Sequence, residues 1–140
     1  ADFVLQLECI SYAEALNSGI FLRCIPGDVM MGYESQIQNG MQDGNPLLPA
    51  DCGTGGIFRR QDARRIVAQD NQWFHKTIVV SGNHIAVWVN GYQVSDWYDE
   101  RKADDNPRRG LRTEAGSIMI QGHDPTTNLS FRNLRIVELK

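Results

Sequence analysis

The feature that most constrains this chain is its rhythm. Apolar and polar residues alternate over short runs, and a turn signal interrupts them roughly every 8–15 residues. Phe3, Leu5 and Leu7 alternate with Gln6 and Glu8, the period of a half-buried strand running to Ile10. Asn17-Ser18-Gly19 opens a second strand over Ile20–Cys24, which Pro26-Gly27 ends. From Tyr33 to Gln38 the alternation is sharpest: Tyr33, Ser35 and Ile37 point one way, Glu34, Gln36 and Gln38 the other. Trp73–Val80 and His84–Val89 read as a hairpin across Ser81-Gly82-Asn83. Asn90-Gly91, a preferred type I′ turn pair, leads into Tyr92–Trp97. Two strands finish the chain, Ser117–His123 and Leu129–Leu139, separated by Asp124-Pro125.

The remaining stretches are irregular. Gly40–Gly56 holds Pro46, Pro49 and five glycines and is expected to be a long loop at the rim of a site. Gly56–Arg59 is a candidate short strand, and Asp62–Ala68 a candidate short helix. Asp99–Arg112, charged and broken by Pro107 and Gly110, reads as a surface loop. No helix of three turns and no internal repeat is visible. The expected fold is therefore all-β: a sandwich of two antiparallel sheets, or a barrel, forming one domain over residues 1–140.

At 140 residues such a domain buries about 65–70% of its unfolded surface without needing a disulfide or structural metal. Cys9, Cys24 and Cys52 form an odd set without metal-type spacing. They are expected to be buried or half-buried thiols, the alternative being one disulfide. A net charge of −3 speaks against a nucleic-acid partner, and Arg59–Arg60, Arg64–Arg65 and Arg108–Arg109 are interspersed with acids as solvated charges. No apolar run approaches the roughly 20 residues of a membrane span. The opening residues do not carry the basic, apolar, small-residue pattern of a signal peptide. Asn128-Leu129-Ser130 has the form of a glycosylation sequon.

Strand parity brings polar side chains together. Glu34 and Gln36 share a face, as do Gln121 and His123, and by the same count Phe21 and Arg23; Arg132 joins that side from the last strand. Such a row is either a solvated outer face or a ligand-binding sheet face.

The segments Asn17–Arg23, Gly32–Ile37, Thr54–Phe58, Trp88–Gly91, Gly116–His123 and Phe131–Ile136 carry a further signal. In their order and spacing the chain resembles the 3-keto-disaccharide hydrolase-like domain family. That resemblance implies a concanavalin A-like jelly roll, usually periplasmic or secreted. It also implies an N-terminal strand region ahead of the present first strand, missing here or supplied otherwise. The activity it implies acts on glycosides already oxidised at C3. A base removes the acidified C2 proton, the C1 substituent leaves by elimination, and water adds to the unsaturated intermediate. Such a route needs a base near neutral pKa and a partner for the enolate oxygen.

The chain offers His123 as first candidate base, with Glu34 as alternative base or metal ligand. Arg23 is the candidate for the oxyanion. Gln36 and Gln121 suit vicinal hydroxyls, Arg132 is placed to close the site, and Trp97 is the candidate stacking platform. Glu34, His123 and an amide oxygen could hold a divalent metal ion, although no clustered ligand signature occurs; no other cofactor is implied. His75 and His84 read as structural or exposed, and Trp73 and Trp88 as core. No Gly-x-Ser-x-Gly elbow is present, and Gly53-Thr54-Gly55-Gly56 lacks the lysine of a phosphate loop. The competing reading is a non-catalytic, lectin-like carbohydrate-binding module on the same fold.

Overall fold

The computed structural model describes residues 1–140 as ten strands without a helix. They are β1 (Phe3–Ser11), β2 (Ser18–Cys24), β3 (Tyr33–Ile37), β4 (Met41–Gln42), β5 (Asn45–Pro49), β6 (Phe74–Ser81), β7 (His84–Val89), β8 (Tyr92–Tyr98), β9 (Ser117–Ile120) and β10 (Leu129–Glu138). Five strands form one sheet in the order β10-β1-β6-β7-β8, and three form a second in the order β3-β2-β9. Every pairing is antiparallel, as the two-residue turns require. Asn90 and Gly91 both take positive φ, 49° and 85°, the geometry of a type I′ turn.

Two expectations need correction. The Gly40–Gly56 stretch is not wholly loop: it contains the small β4–β5 sheet, turned at Asp43-Gly44, where both residues have positive φ. The fold is thus an all-β sandwich with a third, two-stranded sheet. Asp62–Ala68 forms no helix. Its N–H groups are drawn to three different segments, Ala63 to Cys52 O, Arg64 to Val94 O and Ile66 to Pro46 O. Ala63, Ile66 and Ala68 are buried in that extended path, and this tertiary pairing outweighs a weak local helix tendency.

The core lies between the two larger sheets. Leu5, Leu7 and Cys9 of β1, Phe74, Ile78 and Val80 of β6, and Ile85, Val87 and Val89 of β7 meet Ile20 and Leu22 of β2 and Tyr33 and Ile37 of β3. Each fully buried aliphatic side chain stabilises the fold by about 1.5–3 kcal/mol. All three cysteines are free; Cys9 and Cys24 are buried and Cys52 half-buried. Trp97 packs against this core, edge-on to Tyr33 with ring centroids 6.2 Å apart.

Three strands do not cover five. Ile120 pairs with buried Ile20 and Ile136 with buried Leu5, so parity turns both inward. Yet they are 46% and 56% exposed, and with Ile118 and Leu134 they line an open apolar groove of about 320 Å³ between β9 and β10.

Candidate functional site

The outward face of the three-stranded sheet carries the polar row. With Ile20 and Leu22 pointing into the core, Gly19 and Phe21 of β2 face outward. Register then sets two rows across the sheet. Phe21 stands between Glu34 and Met119. Gly19 stands between Gln36 and Gln121, whose N–H donates to Gly19 O at 3.0 Å.

Gly19 is required by close approach rather than by backbone angle. A Cβ there would lie 2.7 Å from Glu34 Oε1, so the missing side chain is what lets the carboxylate fold over β2. Arg108, from the loop that follows β8, covers this row. Its guanidinium lies 5.3 Å above the Phe21 ring, Nε donates to Met30 O at 2.8 Å, and Nη2 reaches Glu34 Oε2 at 3.4 Å. Glu34 is buried, and burial pushes its carboxyl above the ordinary glutamate value; Arg108 pulls it down and Asp51 adds to the rise.

Gln36 is fully buried and donates through Nε2 to Asp51 O at 3.0 Å and Oδ2 at 3.2 Å, while Asn17 holds the same carboxylate at 2.7 Å. Gln121 Nε2 lies 3.6 Å from Met30 Sδ. The Oε1 atoms of both Gln36 and Gln121 are buried and accept no hydrogen bond from the protein. Two acceptors in that state, flanking the side-chain-free Gly19 in one row, are suited to ligand hydroxyls. Glu34 also lines an adjoining cleft of about 80 Å³, together with Phe58, Arg59, Arg60 and Arg108.

Glu34, Gln36 and Gln121 are thus brought together, with Phe21 among them. His123 lies beyond the end of β9 at Ile120, so strand parity does not set its direction; its side chain is 44% exposed and its Nε2 lies 4.0 Å from Asp124 Oδ2. Arg23 is placed elsewhere. The β2–β9 register shifts between Phe21 and Cys24, and Arg23 has a φ of 49°, so the two-residue period breaks and Arg23 does not share the face of Phe21. Its buried guanidinium donates to Ala1 O, Gly82 O, Arg112 O and Asp2 Oδ1 at 2.6–3.1 Å, tying the start of the chain to two turns.

Arg132 lies on the outer face of the other sheet, bonded to Glu8 at 3.2 Å and stacked 3.9 Å over Trp73. Trp73 is exposed there rather than in the core. Trp97 is held at the core margin by Tyr33 and Arg101. His84 stacks on Tyr98 and bonds Asp96, and His75 is exposed. No three His, Cys, Asp or Glu side chains converge on one point, so Glu34 and His123 do not form part of a ready metal-ligand set.

Sequence parity missed Arg108, Asp51, Asn17 and Met30, because all four reach the face from loops. A paired-arginine signal was present at Arg108–Arg109, but charge alone does not distinguish a solvated arginine from one folded over a sheet.

An all-β sandwich with a polar, partly roofed sheet face is the class of protein defined here. The family model of the 3-keto-alpha-glucoside-1,2-lyase-like domain matches residues 1–137, and the chain belongs to that family. It is similar in fold to two crystal structures of proteins from Parabacteroides distasonis ATCC 8503, each named as a candidate glycosyl hydrolase. The first is 23% identical, with a TM-score of 0.68 over 98% of this chain and 78% of that one. The second is 15% identical, with a TM-score of 0.66 over 99% of this chain and 72% of that one. No curated protein sequence matches the chain. No helix is long and apolar enough to cross a membrane.

Proposed function

We propose that the β3–β2–β9 face binds a 3-keto glycoside and cleaves it by elimination and hydration, with Glu34 as the base. The observation that carries this reading is a buried carboxylate, raised by burial, beside a guanidinium and two unpartnered amide oxygens. Glu34 removes the C2 proton, and the C2–H electron pair passes into an enolate on the C3 oxygen. The enolate expels the C1 substituent with its bonding pair. Water then adds at C1 while C2 regains a proton, so that the net change is hydrolysis.

Arg108 is the group placed to stabilise the enolate oxygen, the part the sequence suggested for Arg23. Gln36 and Gln121 accept from sugar hydroxyls. His123, exposed just beyond β9, serves proton exchange with the leaving group or water. The same reading takes the two larger sheets as a concanavalin A-like jelly roll.

The test is product formation from a 3-keto glucoside. Glu34→Gln is expected to lower kcat by about 10²–10⁴-fold, the usual contribution of a positioned base, and His123→Ala by less. The acid limb of kcat/KM is expected above the ordinary glutamate range, since the base must be ionised and burial opposes that. Full turnover by a folded Glu34→Gln would remove Glu34 from the reaction. Sugar binding without turnover on any 3-keto glycoside would leave a lectin-like module.

A further inference from the structure

The cleft beside Glu34 contains more positive charge than its own carboxylate balances. Arg59 sits at the tip of a tight turn closed by bonds from Arg60 and Gln61 N–H to Ile57 O, at 2.8 and 2.9 Å. Its φ is 59°, and its exposed guanidinium lies 5.3 Å from the Phe58 ring centroid without an ion pair or hydrogen bond. Arg60 also lacks a carboxylate; it donates to Arg108 O at 2.7 Å and to Arg59 O at 3.5 Å. Arg108 is divided between Met30 O and Glu34.

Arg101 differs, because Asp99 grips it with two bonds of 2.8 Å. Three guanidinium groups therefore face one carboxylate in a cleft of about 80 Å³, within a chain of net charge −3. Burial is the main cause that lowers the Arg60 pKa from its ordinary value; the charges of Arg101 and Arg108 add to the fall, and Asp99 and Tyr33 oppose it. A planar donor fork left free at a concave edge, as at Arg59, matches the oxygens of an oxyanion. Glu34 belongs both to this cleft and to the sheet face, so a ligand lying across the face extends into it.

We infer that the cleft receives an oxyanion substituent of the bound sugar, a carboxylate or a sulfate ester, and that the site favours anionic over neutral glycosides. This rests on the sheet face being a sugar site, as proposed above. Arg59 supplies the free fork, Arg60 adds positive charge while bonded to the Arg108 and Arg59 carbonyls, and Arg108 neutralises Glu34 so that the second negative group is tolerated.

The test is a titration of the full chain followed by amide NMR shifts, using methyl β-glucuronide, glucose 6-sulfate and methyl β-glucoside. None carries a keto group, so binding is read without turnover. At least one anionic sugar is expected to bind about tenfold more tightly than the glucoside in low salt, with the advantage shrinking at 0.5 M salt. Which of the two binds more tightly identifies the oxyanion. Arg59→Gln is expected to abolish the advantage. Lys102→Gln, which removes the same charge from an exposed loop position outside the cleft, is expected to keep it. Equal binding of all three sugars, or an advantage surviving Arg59→Gln, overturns the anionic inference and leaves the sugar site standing. Absence of shifts on the face with every sugar overturns the site reading, and this inference with it.

Discussion

Burial is inverted between the two flanks of this sandwich. Where β3 lies over β6, a lysine is wholly enclosed: Lys76 has no exposure, and its Nζ donates to Ser35 O at 3.1 Å and Gln36 O at 2.9 Å. Where β9 faces β10, Ile120 and Ile136 stand about half open to water. Both flanks obey the same alternation, since Lys76 pairs with buried Leu7 just as Ile136 pairs with buried Leu5. The difference lies in the layer opposite. Alternation decides which way a side chain points, and the facing sheet decides what it meets.

The sealed flank has its largest measurable consequence in the titration of Lys76. Burial pulls the Lys76 amine down to about 7, against about 10.4 for an unfolded lysine. Between those values the unfolded chain binds the extra proton, so this group makes stability rise with pH. The cost of charging Lys76 is absent above pH 10.5, grows as pH falls, and is complete below 7. Denaturant unfolding of the parent is expected to gain on the order of 4 kcal/mol from pH 7 to 10.5 relative to Lys76→Met, whose curve lacks this slope. Parallel curves for the two proteins would mean that water reaches the amine and that this flank is not sealed.

Truncations across the two flanks sharpen the contrast. Ile78→Ala, in the covered core, is expected to cost about 2–5 kcal/mol, and Ile136→Ala, at the open edge, under about 1 kcal/mol. Equal costs by urea unfolding would show that something covers the β9–β10 groove in solution. The smallest expected effect concerns Gly19, whose added methyl meets the Glu34 carboxylate rather than the core. Gly19→Ala is expected to weaken sugar binding by about tenfold while shifting stability by less than about 1 kcal/mol. A large stability loss instead would give Gly19 a structural role.

Much of the frame is legible in the sequence. The strands at Phe3–Ile10, Ile20–Cys24, Tyr33–Gln38, Trp73–Val80, His84–Val89 and Tyr92–Trp97 lie within a residue or two of β1, β2, β3, β6, β7 and β8, because each is a short alternating or apolar run bounded by turn residues. Glu34 and Gln36 share a face for the same reason, whereas Gln121 joins them only through the β2–β9 pairing. Arg23 departs because a single left-handed residue at a bulge cancels the parity from which its direction was read. Arg132 departs because parity names a face within one sheet and cannot say which sheet the strand joins.

Local pattern therefore determined the strands, the hairpin turns at Gly82–Asn83 and Asn90–Gly91, and the polar character of β3. These depend on backbone sterics and on neighbours two residues apart, information that any short window of the chain contains. Tertiary structure alone decided that β9 sits beside β2, that Arg108 roofs Phe21 and Glu34, that Lys76 is sealed while Ile136 is open, and that Arg59 and Arg60 share a cleft with Glu34. Each joins residues tens of positions apart, and their energies depend on burial and charge created only when the two sheets close on one another.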